Sequence, residues 1–331
     1  MSKGLKPDAQ DICNHIDQLM QSEWLGSSRK WWPYYIYHFT NIDNAVQILN
    51  NGFIYSRNNA LNMGLMESDN ASPQVIEQTN DQWADYVRLY FRPRTPTQFN
   101  NEGFRPKEDR ALDSKCPVPI FFLFDAKGLL SRQEVSFSNM SLTKAHHQVF
   151  SDANGFKNLP FNLIYHDAAF PPEQRDLIVG SRHAEVIIPN QLDLDDLKNI
   201  WCRSEAEYKT LINLLDPIAR KKWQKKIGGG KKGNLFFRKW LFIEKVNFDE
   251  NEISFIFNLP SYKCSPFHAK VIIEEKNTGM MYKWENEGFE DDALTLDLSG
   301  LKDPTNYIVK LYFEDQIMFL DEYEQQSDIP F

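Results

Sequence analysis

The chain has 331 residues, with 37 Lys+Arg against 46 Asp+Glu for a formal charge of −9, 42% hydrophobic residues and 25% charged ones. At ~100–200 residues per domain this length predicts two domains with a core of useful size, and the ordinary apolar and charged shares exclude disorder as the default. The net acidity argues against a chain devoted to coating nucleic acid or anionic membrane, while 24 Phe, 13 Tyr and 8 Trp are equally suited to a core and to stacking on flat ligands.

Residues 8–25 predict one amphipathic helix: Ile12, Ile16, Leu19 and Met20 recur at helical spacing, and Gly26 ends the pattern. Tyr34 to Phe39 reads as a strand by composition. Thr40 or Asn41 can cap a helix carrying Ile42, Val46, Ile48 and Leu49, with Gly52 at C′, before Phe53-Ile54-Tyr55 returns to extended chain. Residues 57–82 are polar and without period, a loop long enough to be functional. Val87 to Phe91 is a strand broken by Pro93 and Pro96, and Pro119 to Phe124 is an apolar run fit for a central strand. Residues 131–181 mix polar stretches with isolated aromatics and read as a second long, mobile region. His183 to Pro189 is again a strand, and 204–215 a helix with Ser204 as cap and Glu207 at the capping-box position.

From Pro217 to Ile243 there are nine basic residues and no acidic one. The remainder holds 28 basic against 46 acidic, net −18, so the mean charge hides an asymmetry. Gly228-Gly229-Gly230 inside this run reads as a flexible joint. Beyond about 235 the pattern is all-β. Candidate strands are Leu241–Phe248, Ile253–Leu259, Ala269–Glu275, Met280–Glu285, Ala293–Leu298, Tyr307–Phe313 and Ile317–Tyr323, with hairpin turns at 276–279 and 314–315. Seven short strands in roughly 90 residues suggest a small sandwich. The domains expected are therefore 1–216, a basic Gly-rich joint at 217–234, and 235–331.

There is no apolar run of ~18 residues and no secretory h-region, which points to a cytoplasmic protein without a membrane. Cys13, Cys116, Cys202 and Cys264 are scattered, so neither a zinc cluster nor a disulfide framework is expected and a reducing compartment fits. His146-His147 lacks a third ligand at metal spacing, and no metal is expected. The commonest nucleotide, metalloprotease and hydrolase motifs are missing.

Four features could carry chemistry. Glu185 opens an apolar strand, where a carboxylate is costly unless it is paired or used. His38 ends an aromatic strand and is either a contact for a ribose or adenine edge or a satisfied core histidine. Arg88, Arg92 and Arg94 share a strand face by period two and are either a grip for a pyrophosphate or solvated edge charge. The basic run, interleaved with Trp223, Phe236, Phe237 and Trp240, is either a solvated linker or a groove for single-stranded nucleic acid.

Four segments in order resemble one family. Tyr37-His38-Phe39-Thr40-Asn41-Ile42-Asp43-Asn44 with Gly52-Phe53 is similar to the opening motif of the DarT-type nucleic-acid ADP-ribosyltransferases. Asp85-Tyr86-Val87 through Tyr90-Phe91 and Pro93-Arg94-Thr95-Pro96 resembles their second block, Pro119 to Leu123 the next strand, and Arg182 to Ile187 the block with their catalytic glutamate. The resemblance covers about residues 30–215. It implies an α+β, ADP-ribosyltransferase-like split-sheet core, followed here by the all-β domain, and NAD as co-substrate. Family members attach ADP-ribose to a base in single-stranded DNA, and relatives modify RNA; many act as toxins with an antitoxin or in phage defence. Glu185 would be the catalytic carboxylate, and His38, Phe39, Thr40, Tyr90 and Arg92 would contact NAD. The loop 131–184 would face the nucleic acid and 57–82 would close over NAD. The family places a catalytic arginine in that NAD loop, whereas residues 58–87 contain none; Arg57 is the nearest substitute and Arg92 the second. Lys221, Lys222, Lys225, Lys226, Lys231 and Lys232 would contact single-stranded DNA or RNA, and the β domain would receive an antitoxin or chaperone. The alternatives are a non-catalytic nucleic-acid- or partner-binding defence protein on the same fold, or an ADP-ribosyltransferase acting on protein.

Overall fold

Apolar period decides most of the elements. The computed structural model describes residues 4–66, 81–105, 115–230, 234–261 and 266–325. Its first helix is Ala9–Gln21, shorter than expected because Ser22 turns extended; Ile12, Ile16 and Leu19 are its buried face. Strand β1 (Tyr35–Asn41) runs into the helix Ile42–Asn51, which stops at Gly52, φ +80°, where glycine escapes the Cβ penalty. Asn41 holds the N-cap position without a cap bond, its Nδ2 donating instead to Asp43 at 2.9 Å.

The chain divides into two compact units, each drawn from three stretches of sequence. The first takes residues 1–100, 120–201 and 232–237. Its strands are β1, β2 (Phe53–Tyr55), β3 (Tyr86–Tyr90), β4 (Pro119–Asp125), β5 (Ser136–Ser138), β6 (Val149–Phe150), β7 (Glu185–Pro189), β8 (Gln191–Asp193) and β9 (Leu197–Cys202). The sheet order is β9-β4-β1-β3-β7-β5-β6, with β2 and β8 forming a separate pair, so the β layer is split as expected. β3 is antiparallel to β1 (Tyr37 opposite Tyr90) and to β7 (Tyr90 opposite Glu185).

Residues 131–181 are not one long mobile stretch. They hold β5 and β6 and the helices Ala153–Lys157, Phe161–Ile164 and Arg175–Ser181. The isolated aromatics are what order them: the Phe156 ring lies 5.2 Å from Phe137 and 5.1 Å from Phe161. Of the polar stretch 57–82, Arg57–Asn62 is a helix capped by Ser56, while 67–80 fall outside the described residues.

The second unit takes residues 101–119, 202–231 and 238–331. The stretch expected as a basic joint is regular structure as far as Gly229: the helix Pro217–Trp223, whose first amides are capped by Asp216, and strand β10 (Ile227–Gly229). Gly229 serves close approach, since a Cβ there would meet the Ser204 carbonyl at 2.7 Å. All seven expected C-terminal strands form: β11 (Ile243–Phe248), β12 (Glu252–Phe257), β13 (Phe267–Glu275), β14 (Met281–Phe289), β15 (Ala293–Asp297), β16 (Asn306–Phe313) and β17 (Gln316–Glu324). They build a β11-β12-β15 sheet and a β14-β13-β16-β17 sheet. Glu314 and Asp315 both take positive φ, as a tight hairpin requires. Phe313 lies 5.2–5.4 Å from the rings of Phe257, Phe267 and Phe289, so much of the aromatic excess is core. No helix among the described residues is long and apolar enough to cross a membrane.

Candidate active site

Glu185 is the first residue of β7 and is 1% exposed. A carboxylate desolvated to that degree requires donors, and it has three. Arg88 from β3 turns its fork onto it, Nη2 reaching Oε1 at 2.7 Å and Nε pairing with Oε2. The Leu142 N–H donates to Oε1 at 3.3 Å. The Ser138 hydroxyl accepts the Glu185 backbone N–H at 3.0 Å, which fixes the strand start. Burial alone would lower the Arg88 pKa, but the Glu185 charge and hydrogen bonds outweigh it and hold the guanidinium above its ordinary value.

Tyr90 lies directly across from Glu185, and burial followed by the Glu185 charge pushes its phenol up to about 12. Phe39 stacks on Tyr90 with ring centroids 6.3 Å apart. His183 donates from Nδ1 to the Val179 carbonyl (3.0 Å) and accepts at Nε2 from the Thr97 N–H (3.2 Å); burial lowers its pKa to about 4, so the ring is neutral. His38 is likewise lowered to about 4 by burial, and its Nδ1 donates to the Arg88 carbonyl at 3.3 Å, which makes Nε2 an acceptor.

The structure brings Glu185, Arg88, Tyr90 and Phe39 to one sheet face. Residues directly opposite in an antiparallel ladder share a face and successive residues alternate. With Tyr37 opposite Tyr90, His38 and Thr40 therefore project from the other face. Thr40 is buried, its Oγ1 accepting from Asn44 at 3.2 Å.

The three arginines separate. Arg92 is 1% exposed and its fork is committed: to Asp167 at 2.7 Å, to the Ile164 carbonyl at 3.2 Å and to the Pro93 carbonyl at 3.0 Å, with Trp32 stacked at 4.8 Å. Arg94 shares Asp167 at 3.1 Å. Arg57 begins the helix after β2, where the Ser56 N–H donates to the Asn190 carbonyl at 2.7 Å. Asn190 is five residues along from Glu185, so the two backbone sites are about 16 Å apart at strand rise.

In the second unit, Lys221, Lys222 and Lys225 are exposed and Lys226 is half-buried; Lys231 and Lys232 lie outside the described residues. Of the aromatics interleaved with them, Trp223 and Phe236 are buried and Phe237 and Trp240 are half-buried. Trp223 is 4% exposed beneath the Lys222 ammonium at 4.5 Å, and Phe236 packs 5.3 Å from Phe121. Phe237 packs against Phe99 at 5.1 Å, and Trp240 carries the Arg105 guanidinium at 4.2 Å. One His/Glu group lies among the described residues, His268 with Glu285 and Glu287, and Glu285 is already ion-paired with Lys283 and hydrogen-bonded by His268 at 2.8 Å. Sequence reasoning missed Leu142 and Thr97, because a backbone amide has no residue type to announce it.

The chain matches a family model described as "ssDNA thymidine ADP-ribosyltransferase, DarT" over residues 37–230. Among solved structures it is similar to Thermus sp. 2.9 DarT in complex with ADP-ribosylated ssDNA, at 17% identity and TM-score 0.49, covering 62% of this chain and 97% of that one. The same protein in complex with NAD+ gives 17% identity and TM-score 0.47, with 62% and 98% coverage. Thermosipho africanus DarTG in complex with ADP-ribose gives 15% and 0.48, with 65% and 53% coverage. No curated protein matches the chain.

Proposed function

We infer the reaction of this chain from its family: it belongs to the DarT-type ssDNA thymidine ADP-ribosyltransferases, whose model it matches over more than half its length. We propose that it transfers ADP-ribose from NAD to a thymidine base in single-stranded DNA, with Glu185 as the reacting carboxylate. The observation that carries this reading is the family match itself, which spans His38, Tyr90 and Glu185.

NAD supplies the ADP-ribosyl group, its nicotinamide leaving with the electron pair of the ribosyl C–N bond. As that bond breaks, positive charge develops on the ribose, and a fixed, desolvated carboxylate is suited to stabilise it. Glu185 then takes the proton from the base nitrogen that forms the new bond to the ribose. Its spare lone pair is on Oε2, because Oε1 already accepts two donors. Tyr90 offers ring surface beside it, with the buried Phe39 ring stacked behind. His38, neutral through burial, projects from the opposite sheet face and is not placed beside Glu185. A base reacts only when unstacked, which favours single strands. The exposed Lys221, Lys222 and Lys225 add phosphate contacts. A toxin paired with an antitoxin, or a phage-defence effector, is the biological setting in keeping with such a reaction.

The decisive experiment is Glu185→Gln, nearly isosteric, assayed for transfer to a thymidine-containing single-stranded oligonucleotide. Transfer should fall by at least about a thousandfold. Undiminished transfer by the folded variant removes Glu185 from the chemistry. An RNA oligonucleotide, a DNA duplex and a protein extract run alongside identify the acceptor class.

A further inference from the structure

The Arg88 fork is more than charge at a strand edge. Its side chain, 27% exposed, spends two donors on a carboxylate that is 1% exposed. Arg88 stands two residues before Tyr90, the register partner of Glu185, so the fork crosses diagonally on one sheet face and both backbones are held by ladder bonds. A carboxylate offers about four acceptor positions. Arg88 Nη2 and the Leu142 N–H occupy Oε1, and Arg88 Nε occupies one position on Oε2.

We propose that Arg88 is a positioning residue for Glu185: its bidentate fork locks one rotamer of a desolvated carboxylate and leaves one Oε2 lone pair for the reacting groups. The inference rests on the reading of Glu185 as the reacting carboxylate. It is an alternative to the pyrophosphate grip for Arg88, whose Nε/Nη2 edge is committed to Glu185. The titratable groups facing Glu185 are Arg88 and Tyr90 from β3 and His183 from the turn before β7. Tyr90 and His183 are neutral at physiological pH, so the ion pair with Arg88 is what charge-matches the carboxylate.

The full chain with Arg88→Gln or Arg88→Lys tests this, reading nicotinamide release from NAD and transfer to a thymidine oligonucleotide. Arg88→Gln should lower kcat about 100-fold. The KM for NAD should stay within about threefold, since the fork acts on the carboxylate and not on the substrate. Arg88→Lys should run about tenfold below wild type in kcat, since an ammonium supplies charge without a fork. A raised KM for NAD with kcat unchanged would place Arg88 on the phosphates and overturn the proposal. So would Arg88→Lys at wild-type kcat, a comparison that decides the matter even if Arg88→Gln does not fold. Glu185→Gln run beside them separates the two readings. If it stays active, Glu185 is not the reacting group; if it is dead while Arg88→Gln keeps wild-type kcat, Glu185 stands and Arg88 falls.

Discussion

Burial sets the protonation of the two buried histidines, His38 and His183. Desolvation penalises the charged form, so His38 and His183 are neutral, whereas the carboxylate carries a guanidinium and a backbone amide as donors. The two histidines have a consequence for stability. In the unfolded chain they titrate near 6.5; folded, they stay neutral down to about 4. Across that window the unfolded chain binds protons the folded chain refuses, so their contribution is fully present above about pH 6.5 and is lost as pH falls toward 4. The thermal midpoint should therefore drop between those limits, and His183→Gln should flatten the drop. A midpoint indifferent to pH across the window would contradict the burial argument. Residue type and strand position marked Glu185 and His38 in the sequence. Their partners were not marked, because Arg88 and Leu142 reach Glu185 from 97 and 43 residues away.

Among the elements, the helix Glu205–Leu214 shows how far a local rule reaches. Ser204 caps it as expected, its Oγ accepting the Glu207 N–H at 3.1 Å. The Glu207 carboxylate, by contrast, accepts from the Arg203 backbone N–H at 3.0 Å and from the Arg203 guanidinium, and both side chains are fully buried. Arg203 also donates to the Pro117 carbonyl at 2.8 Å and lies 4.3 Å from the Phe242 ring, tying three stretches of the second unit together. Glu207→Gln should cost about 3–5 kcal/mol, because it leaves a buried guanidinium undercompensated, against about 1 kcal/mol for Ser204→Ala. Urea unfolding of the two variants checks the order; equal losses would mean the ion pair adds nothing beyond the cap. Strands long enough to show a period were legible, as all seven of the sandwich were. Two- and three-residue strands such as β5, β6 and β8 were not, since their pairing is decided by partners remote in sequence.

At the scale of the whole molecule, the net acidity reverses locally. The net −9 coexists with a helix and turn that expose Lys221, Lys222 and Lys225. Replacing these three with Gln should raise the KM for a single-stranded oligonucleotide and make its salt dependence shallower, by about 0.7 in log–log slope for each phosphate no longer neutralised. An unchanged salt slope would return the basic run to being a solvated face. What the sequence determined by itself is whatever depends on local order. That covers the family motifs, the strand and helix periods, the Ser204 cap, the tight turn at 314–315 and the placing of Glu185 at the mouth of an apolar strand. Only the tertiary structure decided which stretches share a core, with 101–119 and 202–231 joining the C-terminal strands, and that Trp223 and Phe236 are packed inside. It also split the arginines, giving Arg88 to Glu185 and Arg92 to Asp167. The reason is physical: burial and pairing are properties of surfaces brought together across long loops, and a side chain's partner in a sheet is fixed by register rather than by its neighbours in the chain.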